Sequence, residues 1–353
     1  MKLIRMAALA LATTSMLTLA ACTSSQQAAQ EANTGVGSTG CPWEVDESIT
    51  TEANIAYQII LSGDLVVKDH GILEACMPNA KINWTQYAST NDVVQALGSE
   101  SADFGTMGSS GVVKALTAPL NLPVKVVWIQ DVIGDAEALV VKDEALTDIA
   151  GLKGATIGVP FSSTTHFSLL AVLADAGLDP VADVTIVNLT PDAILSAWEG
   201  DQIDAAYIWD PTLAAIREKG KILVTSREVA ASGAPTFDQT IVQTAFIEAE
   251  PAFMEVWTKA QDWAVTMFNE NPEGAAESLS IEMSTPVADL LPQIAGTVYV
   301  SAAVQLSDYF EGNLASVMAD TSAFLTEQAQ IDAPKSTAEF QNTFFTGALT
   351  ALN

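Results

Sequence analysis

The sequence predicts an α/β protein made of two lobes, each built on a mainly parallel sheet. Segments with strand character alternate with segments of helical character from residue 54 to residue 209, which is typical of parallel sheets covered by helices. About 310 residues follow an N-terminal polar segment, and a chain of that length usually divides into more than one hydrophobic core. A weak internal repeat also favours two similar lobes.

The first half of the chain alternates strands and helices with few interruptions. Glycines and small polar residues mark the helix ends. The predicted elements are a strand at Asn54–Gln58, a helix at Asp64–Leu73, a strand at Lys81–Tyr87, a helix at Asp92–Leu97, a strand at Asp103–Met107 and a helix at Gly111–Ala118.

The second half repeats this order. Its predicted elements are a strand at Ala155–Pro160, a helix at His166–Ala176, a strand at Val184–Asn188, a helix at Pro191–Glu199 and a strand at Ala205–Trp209. The internal repeat pairs Asp92–Gly98 with Asp192–Trp198, each preceding a strand, although chance similarity of α/β units is the alternative. Beyond Gln243 the pattern turns helical, with candidate helices at Glu250–Asn269, Gly274–Met283 and Ala302–Thr326.

The N-terminal segment has the features of a lipoprotein secretion signal. Lys2 and Arg5 precede a mostly apolar stretch that ends at Leu19-Ala20-Ala21-Cys22 and is too short for a spanning helix. We expect residues 1–21 to be removed and Cys22 to carry a lipid; an ordinary signal peptide with a chance cysteine is the alternative. Residues 22–40 are small and polar, which predicts a flexible tether.

The two other cysteines, Cys41 and Cys76, would then lie in an oxidising compartment, where a disulfide persists. With Cys22 assigned to the lipid, only one pairing is possible. The sequence therefore predicts a bond between Cys41 and Cys76, with two unpaired buried thiols as the alternative.

The charge balance and the missing motifs restrict the function classes. The chain has 14 Lys plus Arg against 43 Asp plus Glu, which disfavours nucleic acid and anionic lipid as partners. Its two histidines, His70 and His166, have no partners at metal-ligand spacing, and no phosphate-loop, nucleophile-elbow or dinucleotide motif appears. Enzyme chemistry therefore finds little support, and we expect no catalytic residues, metal or cofactor.

Two loops, one in each predicted lobe, place small hydroxyl residues where a helix begins. Such positions offer unpaired N–H groups and the positive end of the helix dipole, which bind an anion without formal charge. Simple helix capping is the alternative for every one of these residues. They are Ser109, Ser110, Ser163, Thr164 and Thr165.

Carboxylates and aromatic residues lie near strand ends, where open α/β sheets bind ligands. Glu137 begins an apolar strand, Asp210 follows the strand that ends at Trp209, and Asp238 lies in a turn-rich stretch. A carboxylate at such a place either meets a ligand cation or faces solvent. Tyr207 and Trp209 present faces able to enclose a cation, and core packing is the alternative for both.

A series of short motifs runs in order along the chain: Gly108-Ser109-Ser110, Glu137-Ala138-Leu139-Val140-Val141-Lys142, Pro160-Phe161, Ser163-Thr164-Thr165-His166, Val187-Asn188-Leu189, Ala197-Trp198, Ala206-Tyr207-Ile208-Trp209 and Gly233-Ala234-Pro235-Thr236. In these motifs the chain resembles taurine-binding proteins of ABC importers, within the wider sulfonate, nitrate and thiamine-precursor binding family. The resemblance runs from about residue 54 to about residue 238. The C-terminal third agrees mainly in helical character.

The resemblance implies the type II periplasmic-binding-protein fold, in which two α/β lobes are joined by two crossing strands around a ligand cleft. We expect the crossings near Leu139–Lys142 and Thr240–Phe246. The first lobe would then comprise residues 41–140 and 245–353, and the second lobe residues 141–244.

For function, the resemblance implies a monomeric lipoprotein that captures taurine, a zwitterionic sulfonate, outside the cytoplasmic membrane. It would pass the ligand to an ABC permease driven by its ATPase, and it would be periplasmic if the cell has an outer membrane. The ammonium would face Glu137 and Asp238, with Tyr207 and Trp209 as walls. The sulfonate would be held by Ser109, Ser110, Thr164 and Thr165 together with backbone N–H groups, and by Gln58 at the end of the first strand.

Two features depart from the pattern of the family. Asp210 stands where we expect a small apolar residue, and Ile59-Ile60-Leu61-Ser62 differs from the usual first-strand loop. An added carboxylate would strengthen amine binding or select a larger cation. Another small sulfonate, a sulfate ester or an aminoalkyl anion is therefore the alternative ligand, and an enzyme of the thiamine-precursor type is the remote alternative.

Overall fold

A computed structural model describes residues 40–352 of the chain. The predicted signal segment at 1–21, the lipidation site Cys22 and residues 22–39 of the predicted tether lie outside the described residues. Within residues 40–352, every helix is too short or too polar to cross a membrane.

Ten strands and a larger number of helices form this part of the chain. The strands are β1 (Glu52–Tyr57), β2 (Lys81–Gln86), β3 (Phe104–Gly108), β4 (Val124–Val132), β5 (Glu137–Val141), β6 (Thr156–Val159), β7 (Thr185–Asn188), β8 (Ala205–Trp209), β9 (Lys221–Thr225) and β10 (Phe237–Gln243). The helices as far as β10 are α1 (Gly63–Asp69), α2 (Ile72–Cys76), α3 (Thr90–Gly98), α4 (Ser109–Leu116), α5 (Thr164–Asp175), α6 (Pro191–Glu199), α7 (Thr212–Arg217) and α8 (Ser226–Ala231), with a 3₁₀ turn at Ile149–Leu152.

The C-terminal part is helical, as the sequence predicts. Its helices are α9 (Thr244–Ala249), α10 (Pro251–Glu270), α11 (Pro272–Met283), α12 (Val287–Ala295), α13 (Ala302–Val304), α14 (Leu314–Glu327), α15 (Thr337–Gln341) and α16 (Gly347–Leu352), with a π-helical segment at Gln305–Asn313 between α13 and α14. The predicted single helix from Ala302 to Thr326 is wrong, because Gly312 leaves the helical region (φ -97°, ψ -115°).

The strands form two sheets of the same design. The first has the order β2-β1-β3-β10-β4 and the second the order β7-β6-β8-β5-β9. In each sheet, the fourth strand in this order runs antiparallel to both of its neighbours, and the other ladders are parallel. The predicted mainly parallel sheets are therefore correct for all strands but β10 and β5.

The two antiparallel strands are the ones that follow a passage of the chain between the sheets. β4 belongs to the first sheet and β5 to the second, so the first passage lies within residues 133–136. The return ends at β10, which belongs to the first sheet. The predicted crossings at Leu139–Lys142 and Thr240–Phe246 are wrong, because they fall largely inside β5 and β10. The first passage is a short connection, and the return lies within residues 226–236, which include α8.

The internal repeat corresponds to equivalent places in the two sheets. α3 connects β2 to β3, the first and third strands across the first sheet, and α6 connects β7 to β8, which hold the same places in the second sheet. The predicted helix from Asp64 to Leu73, in contrast, is wrong as one element. Gly71 adopts a left-handed conformation (φ 59°) and separates α1 from α2.

Helices cover both faces of the second sheet, which explains its apolar strands. Successive residues of a strand point to opposite faces, so Leu139 and Val141 of β5 enter one core cluster and Ala138 and Val140 enter another. The first sheet packs into a larger core. A disulfide joins Cys41 to Cys76 at the end of α2, the one pairing that the sequence allowed.

Candidate ligand-binding site

A cavity lies where the chain passes between the two sheets. It contains about 490 Å³ of space not occupied by atoms, part of it open to solvent. Residues at or just after strand ends contribute to its wall, as do residues of the passage at 133–136. The lining residues are Gln58, Ile60, Leu61, Thr90, Gly108, Asp131, Ile133, Ala136, Glu137, Ser163, Thr164, Trp209, Asp210, Asp238 and Thr297.

The cavity brings together seven of the side chains that the sequence singled out for ligand binding: Gln58, Glu137, Ser163, Thr164, Trp209, Asp210 and Asp238. These residues come from both halves of the chain. The clustering follows from the topology, because the strand ends of both sheets meet at this place.

Four other predicted residues do not line the cavity: Ser109, Ser110, Thr165 and Tyr207. The Ser109 hydroxyl accepts a hydrogen bond from the Phe237 N–H (3.3 Å), and the Ser110 hydroxyl donates to the carbonyl oxygen of Ser162 (3.0 Å). The Thr165 hydroxyl pairs with that of Ser163 (2.7 Å). These hydroxyls are engaged by the protein itself, which the sequence alone does not reveal.

Tyr207 belongs to the core and does not wall the pocket. It is fully buried in β8, and its hydroxyl forms a hydrogen bond of 3.0 Å with the Ser226 hydroxyl. Ser226 in turn donates to Oε2 of Glu137 (3.1 Å). Tyr207 therefore acts on the cavity through Ser226, by supporting the carboxyl group of Glu137 from behind.

The starts of helices α4 and α5 meet beside the cavity. A Cβ atom on Gly108 would lie only 2.6 Å from Cγ2 of Thr164, so the absence of a side chain at Gly108 permits this approach. Ser163 caps α5 by accepting a hydrogen bond from the His166 N–H (3.2 Å). Because the first N–H groups of a helix have no partner within it, the two helix starts direct positive dipole ends to the same region.

Glu137 is buried at the first residue of β5. The Thr164 hydroxyl donates to its Oε1 atom (2.5 Å), opposite the bond from Ser226. Burial, and then the negative charge of Asp238, raises the pKa of Glu137 to about 8. The Thr164 hydroxyl is occupied by this hydrogen bond to Glu137, so only the backbone of Thr164 remains available to a ligand.

A further carboxylate, Asp131 on β4, was missed by the sequence analysis. It pairs in register with Asp238 of β10, so the two residues are direct neighbours across an antiparallel ladder. Burial raises the pKa of Asp238 to about 7, and burial followed by the charges of Asp238 and Glu137 raises the pKa of Asp131 well above its usual range. The signal was the polar pair Gln130-Asp131, which follows the apolar run Val126–Ile129 in the same strand.

Asp210, the predicted departure from the family pattern, faces the same cavity. Its Oδ1 atom accepts a hydrogen bond from the N–H of Ala214 in the first turn of α7 (2.9 Å), while its Oδ2 atom is buried with no partner among the described residues. Burial raises the pKa of Asp210 to about 6, against the opposing effect of Arg217. Asp210 thus stabilises the start of α7 through Oδ1 and also contributes to the cavity wall.

The described residues that line the cavity include no lysine, arginine or histidine. His166 lies outside it, stacked on Phe161 at 4.5 Å, and burial lowers its pKa to about 4, so it is neutral and structural. Within residues 40–352, no group of three or more His, Cys, Asp or Glu is arranged to hold a metal ion. A cavity with several buried carboxyl groups and no basic side chain complements the cationic part of a ligand.

Comparison with known proteins identifies the family. Residues 80–275 match the NMT1/THI5-like family. The taurine-binding periplasmic protein of Escherichia coli K12 is 34% identical over 260 residues, which cover 72% of this chain and 80% of that protein.

Two solved structures show the same fold. One is the alkanesulfonate-binding protein of Xanthomonas axonopodis pv. citri bound to MOPS (TM-score 0.67, 24% identity, covering 81% of this chain and 95% of that one). The other is the periplasmic nitrate-binding protein of Synechocystis PCC 6803 (TM-score 0.70, 15% identity, covering 86% and 88%). The architecture is the predicted type II periplasmic-binding fold. The chain belongs to the NMT1/THI5-like family, in which it resembles the taurine-binding proteins of ABC importers.

Proposed function

We propose that the protein is the solute-binding component of an ABC importer and that its ligand is taurine. The observation that carries this proposal is the joint presence of buried carboxyl groups and two adjacent helix starts in one cavity without basic residues. Such a cavity offers an acidic side to an ammonium and a dipolar side to an anion. The E. coli relative, whose name states taurine binding, supports the same ligand.

The ammonium of the ligand lies against Glu137 and Asp238 in this proposal. The sulfonate lies toward the first turns of α4 and α5, where backbone N–H groups near Gly108 and Thr164 bind it together with Gln58. A sulfonate stays ionised without a basic partner, so dipoles suffice. Gln58 suits this role because it is buried and its side-chain NH2 group donates only a long bond of 3.4 Å to the Thr106 carbonyl oxygen, which leaves an N–H for a sulfonate oxygen.

Ligand capture proceeds by closure of the two lobes. Two hydrogen bonds join α4, which follows the first sheet's β3, to the loop that precedes α5 of the second half. The Ser110 hydroxyl donates to the Ser162 carbonyl oxygen (3.0 Å), and the Lys114 ammonium donates to the Ser162 hydroxyl (2.8 Å). These contacts would break on opening, so small-angle scattering should show a more compact protein with saturating ligand; an unchanged radius of gyration would contradict closure.

The protein acts outside the cytoplasmic membrane, as its periplasmic relatives do. We propose that residues 1–21 are removed on export and that a lipid on Cys22 anchors the monomeric protein through the tether at 22–40. Its partners are then a permease and the ATPase that drives it. Mass spectrometry of the protein from its native membrane tests this: a diacylglycerol-modified Cys22 is expected, and an unmodified mature N-terminus would contradict it.

A second candidate ligand is another small aminosulfonate or aminoalkyl anion with a larger cationic group. Asp210 favours it, because its unpaired Oδ2 atom adds a carboxylate oxygen to the cavity wall beyond Glu137 and Asp238.

Isothermal titration calorimetry with taurine and with ethanesulfonate, which lacks the amine, tests the proposal that taurine is the ligand. Micromolar or tighter taurine binding with much weaker ethanesulfonate binding is expected. Equal binding of both would contradict an acidic side that recognises the amine.

A further inference from the structure

Asp131 places a third carboxyl group beside the two to which the proposed function assigns the ammonium. It lies on β4, directly across the ladder from Asp238 on β10, while Glu137 comes from β5 of the second sheet. All three side chains line the same cavity, and each is at least nine-tenths buried. The cation would therefore be approached by carboxyl groups from three different strands.

The hydrogen-bond pattern leaves one oxygen atom of Asp131 without a partner in the described part of the protein. Glu137 receives one hydroxyl on each of its oxygen atoms, from Thr164 and Ser226. In contrast, Oδ1 of Asp131 is buried with no hydrogen-bond partner among the described residues. An unpaired buried carboxylate oxygen costs free energy unless a ligand supplies a donor. The Oε1 atom of Gln58, in the wall of the same cavity, is a second buried acceptor without a partner in the described part of the chain.

We propose that Asp131 is a specificity-determining contact for the ligand amine, and that Asp131, Glu137 and Asp238 together select a primary ammonium over its methylated forms. This inference rests on the proposed function and adds the class of amine to it. A primary ammonium carries three N–H donors, one for each carboxyl group. Each added methyl group removes a donor and buries an apolar group against a carboxylate.

The aromatic content of the cavity points the same way. Sites for quaternary ammonium ions surround the cation with several aromatic faces. Of the described residues that line this cavity, Trp209 alone is aromatic, since Tyr207 is turned into the core. The wall thus supplies hydrogen-bond acceptors to the cation and lacks the cage that a trimethylated amine requires.

The test is a calorimetric titration of the purified full chain with taurine, N-methyltaurine, N,N,N-trimethyltaurine and homotaurine. Homotaurine is an isomer of N-methyltaurine that keeps three N–H donors, so it controls for ligand size. We expect N-methyltaurine to bind about 10- to 100-fold more weakly than taurine, the factor that one hydrogen bond to a charged group supplies. The trimethyl derivative should bind more weakly still, and homotaurine should lose less than its isomer.

Asp131→Asn should weaken taurine binding and bring the taurine to N-methyltaurine ratio close to one. Asp175→Asn is the matched control, because it removes the same charge from an exposed position and should leave the ratio unchanged. The wild-type ligand series needs no variant and stands even if Asp131→Asn folds poorly. Equal binding of taurine and its methylated forms, or a well-folded Asp131→Asn with an unchanged ratio, would overturn this inference alone. Failure of every sulfonate to bind would overturn the proposed function and this inference with it.

Discussion

The Thr164 hydroxyl donates a hydrogen bond of 2.5 Å to Oε1 of Glu137. Thr164 is the first residue of helix α5, and the sequence predicted that it binds the anionic group of the ligand. Glu137 is the first residue of strand β5, and the sequence predicted that it binds the ammonium. The two expected poles of the site therefore touch at this point. The contact fixes the carboxyl group of Glu137 on the second sheet, while Asp131 and Asp238 approach from the first. A bound cation would bridge the two lobes.

Glu137→Gln tests the acidic side directly. The variant removes a negative charge but keeps the shape and can still hydrogen-bond to the Thr164 and Ser226 hydroxyls. We expect taurine affinity to fall about 10- to 100-fold, since a charge-assisted hydrogen bond is lost, and ethanesulfonate affinity to stay the same or rise. Calorimetry on both ligands gives the answer; an equal loss for both would mean that Glu137 acts on structure and not on the amine.

The affinity for taurine should rise with pH. The pKa values of Asp238 and Glu137 are raised to about 7 and about 8 in the free protein, so at pH 6 both groups are largely protonated. An ammonium favours the ionised forms, and binding must therefore release protons. We expect the association constant to increase from pH 6 to pH 8, by about tenfold per unit for each proton released. Titrations in two buffers of different ionisation enthalpy would detect the protons; an affinity that is flat or falling over this range would contradict the assignment.

Asp64 should make the stability of the fold decrease as the pH rises, whereas the affinity for taurine increases. Its carboxyl group accepts hydrogen bonds from Thr106 (2.5 Å) and Gln261 (2.7 Å) in a fully buried network, and burial raises its pKa to about 6. Between pH 3.8 and 6 the folded state thus binds more protons than the unfolded state. This contribution to stability is present at low pH and is lost as pH rises through about 6, by about 3 kcal/mol in all.

Asp64→Asn should remove that part of the pH dependence. Its amide can serve both neighbours, because the Thr106 hydroxyl is able to accept as well as donate. The free energy of unfolding in urea, measured from pH 4 to pH 8, should fall less steeply in the variant than in the wild type. The exposed Asp175→Asn variant should follow the wild-type curve, and parallel curves for Asp64→Asn and wild type would refute the role of Asp64.

Local sequence patterns predicted most strands and helices of the fold, because burial imposes the alternation of apolar residues that the sequence displays. The passages between sheets were misplaced for a physical reason. Residues 133–136 are a short connection between two apolar strands, and pairing partners distant in sequence decide to which sheet each strand belongs. The break at Gly71 depends on a left-handed backbone conformation that a glycine allows but does not require.

The site was predictable in its chemistry and less so in its membership. Glu137, Asp210 and Asp238 lie at strand ends, a local signal, and all three line the cavity. Asp131 was missed because its neighbour across the ladder, Asp238, is far away in the sequence. The hydroxyl of Ser110 was assigned to the ligand, yet it donates to a backbone carbonyl of the other half of the chain, which only the packed structure reveals.

Lys114→Met should weaken ligand binding without touching the cavity. The Lys114 ammonium donates hydrogen bonds to the Ser162 hydroxyl (2.8 Å) and to Oε1 of Gln330 (3.2 Å). The variant keeps an apolar side chain of similar length but loses both hydrogen bonds. If the bond to Ser162 stabilises the closed form, taurine affinity should fall by about 3- to 10-fold, the effect of about one hydrogen bond. Lys219→Met, at an exposed position, is the control. An unchanged affinity in Lys114→Met would show that this contact does not contribute to closure.

A crystal structure of the protein with taurine would locate both ends of the ligand in the cavity. We expect the ligand nitrogen within about 3.2 Å of carboxylate oxygens of Glu137 and Asp238, with the sulfonate oxygens at the first backbone N–H groups of α4 and α5. A ligand in the reverse orientation, or one bound outside the cavity, would contradict this placement.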